Sequence, residues 1–169
     1  MGKQYQSIPK RSQEFIKAQK IFFVATSASE SRINLSPKGG DSLRVLSENR
    51  VVWLNLTGSG NETAAHLLED DRMTIMFCAF EGNPMILRLY GTAKTYHPRD
   101  KEYDELIDLF PTETGARQIL DMSVDLVQTS CGMSIPFFDF KKERNQLKDW
   151  ADNKGRDGVK EYWKDRNTL

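Results

Sequence analysis

The chain has 169 residues, and its 24 lysines and arginines balance 24 aspartates and glutamates, for a formal net charge of zero. That length can bury the core of one ordinary domain, while the balanced charge argues against nucleic acid or a membrane surface as the main partner, because both require a basic excess. The two cysteines, Cys78 and Cys131, lie far apart and lack metal-ligand spacing, so neither a disulfide framework nor a metal site is expected. No apolar run approaches membrane-spanning length, and the polar, basic first 13 residues lead into no apolar stretch of a secretory signal; the expectation is a cytoplasmic protein with reduced thiols.

In chain order, residues 12–20 carry Phe15, Ile16 and Gln19 on one side of a short helix, with Ser12 available as its N-cap. The run IFFVATS at 21–27 is β-branched and aromatic and ends in a small polar cluster, which reads as a strand and a turn. At 32–36, RINLS alternates Ile33 and Leu35 against polar neighbours, and Pro37 is expected to end this strand. The segments 42–46 and 51–56 flank a tetrapeptide of turn composition and form a hairpin. A helix should follow the Gly58-Ser59-Gly60 corner, burying Ala64, Ala65, Leu67 and Leu68.

MTIMFCAF at 73–80 is nearly all apolar and fits a strand buried on both faces. The strand predicted over 85–96 is interrupted by Gly91, which indicates a bulge or a close backbone approach. Tyr103, Leu106, Ile107 and Phe110 then recur at helical spacing up to Pro111. A further helix is expected over 114–120 and a strand over 125–131, followed by two charged amphipathic helices broken at 155–158, whose charged faces read as solvated. Adjacent strands with few intervening helices predict a mainly β fold, an antiparallel barrel with peripheral helices.

Candidate chemistry concentrates at two places. A strand, a small-residue turn and a helix start at 53–68 make an anion site, because free backbone N–H groups point at whatever sits there. The same residues admit a simpler reading, since Ser59 and Glu62 have capping-box spacing, and taken locally the pattern favours that capped turn. Neither the Walker motif nor the three-glycine dinucleotide fingerprint is present. SPKGGD at 36–41 exposes a hydroxyl and an ammonium beside flexible backbone, and a lysine there serves as a point charge for phosphate or faces solvent. His66 and His97 lack the spacing of a metal site or triad and read as structural or exposed, and Cys131 reads as a small buried hydrophobe. No catalytic nucleophile, acid or base is singled out.

The ordered run IFFVATS, RINLSPKGGDSLRVL, VVWLNLTGSGNETAAHLLEDDRMTIMFCAF, MILRLYGTAKTY and VQTSCGMSIP resembles the pyridoxamine 5'-phosphate oxidase-like family of FMN-binding split barrels, over residues 10–135. It is similar to an uncharacterised branch of that family rather than to the vitamin-pathway oxidase. The resemblance implies a six-stranded antiparallel split barrel over 1–135, a C-terminal helical extension over 136–169, and a homodimer holding FMN at its interface. It also implies cofactor contacts from Asn34, Leu35, Ser36 and Lys38, and from Asn55, Leu56 and Thr57 on the next strand. The phosphate turn would comprise Ser59, Gly60, Asn61 and Thr63. Gly60 and Asn61 stand where the oxidase has Arg-Lys, so Lys38 or Arg88 would have to supply the charge. The function implied is an FMN-dependent oxidoreductase acting on a small molecule, with NADH, NADPH or reduced deazaflavin as possible electron donors. A non-catalytic flavin or haem binding and sensing protein is the alternative.

Overall fold

The computed structural model describes residues 2–167. Its framework is one antiparallel sheet of eight strands: β1 (Lys3–Tyr5), β2 (Ile21–Thr26), β3 (Asn34–Gly39), β4 (Leu43–Ser47), β5 (Arg50–Leu56), β6 (Arg72–Cys78), β7 (Ile86–Tyr96) and β8 (Ala116–Ser130). Seven strands run in the order β3-β2-β6-β7-β8-β5-β4, and β1 pairs with β8 off this path. The architecture is the expected mainly β, antiparallel split barrel with peripheral helices, but with more strands than the six expected. Four helices complete it: α1 (Lys10–Ala18), α2 (Glu62–His66), α3 (Lys101–Ile107) and α4 (Gln146–Asn167).

The sheet curls until its inner face closes on itself. Phe22 on β2 meets Trp53 on β5 edge to face, with ring centroids 6.1 Å apart, although these strands are not neighbours in the ladder. Val24, Ile75, Leu89 and Met122, all fully buried, fill the interior around that pair. A second core lies outside the curl, where Tyr103 and Leu106 of α3, with Phe110, cover Val52, Leu54 and Ile119. Strand β5 is therefore wrapped on both sides, which explains why it reads as a continuous apolar run rather than an alternating one.

Several local expectations are corrected. Residues 114–120 form no helix; from Ala116 they are the start of the 15-residue strand β8. One edge of β8 pairs with β7, and the other with β5 and then β1. Pro37 does not end its strand, since β3 continues to Gly39; on an edge strand a missing N–H forfeits no ladder bond. Helix α1 starts at Lys10 after Pro9 and has no side-chain cap, while Ser12 is buried within its first turn. Strand β6 is buried on one face and only half-buried on the other. Cys131 is exposed rather than buried, whereas Cys78 is buried.

Helix α2 has five residues and also departs from expectation. It buries Thr63, Ala64 and His66, while Leu68 beyond it is 88% exposed. The His66 ring sits within 3.2 Å of the Thr26 hydroxyl, so this histidine ties α2 to the sheet. The C-terminal charged segment forms α4, kinked where Gly155 adopts φ 67°. Residues 137–145 are not helical. Among the described residues, no helix is long and apolar enough to cross a membrane.

Candidate functional site

Strand register decides which β3 side chains face the barrel. Asn34, Ser36 and Lys38 are opposite Thr26, Val24 and Phe22, all buried, so they point inward; Leu35 points out and is 62% exposed. The Asn34 amide donates to the Thr63 hydroxyl at 3.0 Å, fastening β3 to α2. The Ser36 hydroxyl is buried and has no hydrogen-bond partner among the described residues, an arrangement native structures avoid unless something else satisfies the group. Lys38 reaches across the split of the barrel, its ammonium 5.0 Å from the Trp53 ring centroid. Burial pushes the Lys38 ammonium below its ordinary pKa, with the charge of Glu62 acting in the opposite direction. Among the described residues, no carboxylate lies within 4 Å of the Lys38 ammonium.

The corner after β5 does not follow the capped-turn reading. Asn61 is the N-cap of α2 by position, but no side chain caps the helix, so the Ser59–Glu62 capping box does not form. Glu62 instead curls back over Gly60, where an added Cβ would lie 2.6 Å from the carboxylate carbon. Ser59 is exposed, and the buried amide oxygen of Asn61 has no partner. A five-residue helix offers little dipole, so the charge for an anion at this turn has to come from side chains; Lys38 interacts electrostatically with Glu62 beside it.

Two expected contact residues are already committed to the scaffold. The Asn55 amide donates to Gln118 Oε1 at 3.1 Å, bridging β5 and β8. Thr57 is fully buried; its N–H and its hydroxyl both donate to the Gly115 carbonyl, at 2.8 and 2.9 Å, and the hydroxyl oxygen accepts from Trp163 Nε1 at 2.9 Å. Arg88 lies on the other face of the sheet from Lys38 within the chain. It is paired in register with Met76 and Gln128 on the outer face of the sheet and donates to the Ser130 hydroxyl at 3.0 Å. Asn34, Ser36, Lys38 and Thr63 do converge, and Leu56 shares a cleft with Lys38.

That cleft has a volume of about 980 Å³. Lys38, Gly39 and Gly40 form one wall, Leu56 and Phe80 contribute apolar surface, and the segment from Phe138 to Lys148 closes it. Phe80 and Phe138 pack edge to face with centroids 5.4 Å apart, which holds that segment against the barrel. Sequence reasoning missed this wall because it extended the charged amphipathic helix back to Phe138, whereas the helix starts at Gln146. It also missed Trp163, for which a signal existed: Val159 and Trp163 lie four apart on α4, and Val159 is buried. Trp163→Phe is expected to cost about 1 kcal/mol, the value of one lost hydrogen bond, and to leave the cleft at Lys38 intact. Urea unfolding would measure the first effect and flavin titration the second.

The comparisons with known proteins agree with this architecture. Residues 8–131 match the pyridoxamine 5'-phosphate oxidase family. A curated relative, the pyridoxamine 5'-phosphate oxidase family protein ustO of Aspergillus flavus, is 35% identical over 98% of this chain and 70% of its own length. The chain belongs to the pyridoxamine 5'-phosphate oxidase family. Among solved structures, HupZ of Group A Streptococcus shares the fold with a TM-score of 0.59 at 16% identity, covering 73% of this chain and 99% of that one. The haem storage protein HutZ of Vibrio cholerae gives a TM-score of 0.53 at 14% identity over 75% and 98% of the two chains. An FAD binding protein of Mycobacterium smegmatis gives 0.52 at 12% identity over 72% and 92%. These three likenesses concern the fold.

Proposed function

We propose that this protein is an FMN-binding homodimer that acts as an FMN-dependent oxidoreductase on a small molecule. One observation carries the reading. Lys38 is a desolvated ammonium with no carboxylate within 4 Å among the described residues, on the wall of a cleft of about 980 Å³ and two residues from the Ser36 hydroxyl, which has no partner among them either. An ammonium so placed favours an anion, and the volume suits a ligand of nucleotide size. One half-buried cation matches a single phosphate, which favours FMN over a dinucleotide. The donor set fits: Lys38, Ser36 and Asn34 line the inner face of β3, Thr63 is linked to them, and Ser59, Gly60 and Asn61 form the adjacent turn. Asn55 and Thr57 then act as positioning residues, holding β5 and β8 in place rather than touching the cofactor.

Bound FMN would supply hydride or single-electron chemistry, and the chain would supply orientation, water exclusion and hydrogen bonds. Dimerisation is supported by exposed apolar side chains at the β3 edge, where Ile33 is 78% and Leu35 62% exposed. A haem reading has less support, because the His66 ring is buried and engaged with Thr26. The purified protein should show a flavin absorbance spectrum, release FMN rather than FAD by mass spectrometry, and run as a dimer in light scattering. Colourless protein that cannot be reconstituted with FMN would overturn the cofactor reading. Bound flavin that is never reduced by NADH, NADPH or reduced deazaflavin would instead favour a binding or sensing role.

A further inference from the structure

A second cleft, of about 910 Å³, lies between α3, the 111–118 segment and the part of α4 beyond the Gly155 kink. Its lining is strongly unequal in charge. Arg99, Arg117, Arg156, Lys160 and Lys164 face two carboxylates, Asp108 and Glu113, in a chain whose net charge is zero. Helical spacing produces this inequality. Arg156, Lys160 and Lys164 follow one another at four-residue intervals and so line one side of the helix, while Val159 and Trp163 form the apolar row beside them. Opposite, Tyr103, Ile107 and Phe110 give the cleft an apolar floor.

Arg117 and Lys164 already engage other groups, and the Arg117 guanidinium stacks 5.4 Å from the Trp163 ring centroid. The excess therefore rests on Arg156 and Lys160, which are exposed and have no carboxylate within 4 Å among the described residues. Arg99 stands on the other wall, with only a 3.9 Å contact to its neighbour Asp100. Cations beside an aromatic and aliphatic floor select a molecule with one charged end and one apolar body.

We propose that this cleft is a binding site for a small organic anion, with an aromatic or aliphatic body on Tyr103 and Ile107 and a phosphate or carboxylate between Arg156, Lys160 and Arg99. The cleft has a different lining from the Lys38 cleft apart from Glu113, which both share, and Asn61 of the turn after β5 stands at its edge. Its occupancy does not require flavin.

The test is calorimetric titration of the full chain, saturated with FMN and also without it, using phenyl phosphate and benzoate as probes and benzyl alcohol as the neutral control. Both anions, or one of them, should bind while benzyl alcohol does not, and the preferred anion identifies the charged group. In R156E/K160E, whose side chains are exposed, affinity should fall roughly tenfold or more, as reversal of two charges implies. K141E/R144E, at the other cleft, should bind as the parent does. Absence of measurable binding, equal binding of benzyl alcohol, or unchanged affinity in R156E/K160E would overturn the proposal. Equal loss in K141E/R144E would move the anion to the Lys38 cleft and overturn it as well. Circular dichroism of each variant verifies that the fold is retained.

Discussion

Gly91→Ala is expected to destabilise the fold by about 3 kcal/mol or more, the upper range for overpacking a tightly fitted interior. Gly91 sits at the irregularity where β7 and β8 change register, with Tyr90 opposite Leu126 but Gly91 opposite Val124. A Cβ added there would collide with the Ser123 carbonyl oxygen and would lie 2.9 Å from its carbon and 3.1 Å from Val124 Cα. All three are backbone atoms, so no side chain can rotate away. Ser123 cannot retreat either, because it is also paired with Arg50 of β5. The two strands would have to part at the centre of the sheet. Gly58→Ala provides the control: nothing lies within 4 Å of an added Cβ there, and the expected change is within about 0.5 kcal/mol. Equal urea midpoints for the two variants would show that the bulge can relax.

The same glycine illustrates how far the sequence can be read. Gly91 in an apolar, alternating strand indicates a close backbone approach whatever the partner, since only a residue without Cβ suits that position. The β2 strand, the 42–56 hairpin and α3 were legible for similar reasons: their periodicity or turn composition is local. Residues 116–120 were not, because their state is set by a partner more than 60 residues away. Gln118 belongs to a strand because Asn55 and β5 stand beside it. Pro37 misled for the reason that its rule is conditional, and nothing in RINLSPKGG reveals that the strand lies at an edge.

The candidate site divides along the same line. Asn34, Ser36 and Lys38 come from the family resemblance; the strand's continuation through Pro37, which the sequence reading does not expect, is what puts them on one face. Arg88 was drawn in by chemistry alone, as a cation on a nearby strand, but its register puts it on the opposite face from Leu87 and Leu89, which are buried in the barrel. Thr57 is a cofactor contact only by family resemblance. Its saturation by Gly115 and Trp163 depends on a helix that begins almost 90 residues later in the chain. On the proposed reading, Lys38 is the cation within the chain's own cleft that would carry the charge the Gly60-Asn61 turn lacks.

Lys38→Met should therefore separate binding from stability. A charge-assisted hydrogen bond to a charged group contributes about 1.5–3 kcal/mol, so FMN affinity should fall roughly tenfold to a hundredfold. The ligand-free fold should be as stable as the parent or more so, because methionine fills similar space beside Trp53 without a desolvated charge. Proton linkage gives an independent readout. The folded-state pKa of Lys38 lies below 10.5, mainly through burial. Between that lowered value and 10.5 the unfolded chain binds more protons than the native one, so the Lys38 contribution to stability rises with pH across this window. Lys38→Met lacks that rise, so it should remain as the difference between the two stability profiles. A bound phosphate would favour the charged ammonium and lift its pKa again, so saturating FMN should flatten the parent's rise as well. Unchanged FMN affinity in Lys38→Met would mean that neutral donors hold the phosphate, and Asn61→Ala would then become the damaging substitution.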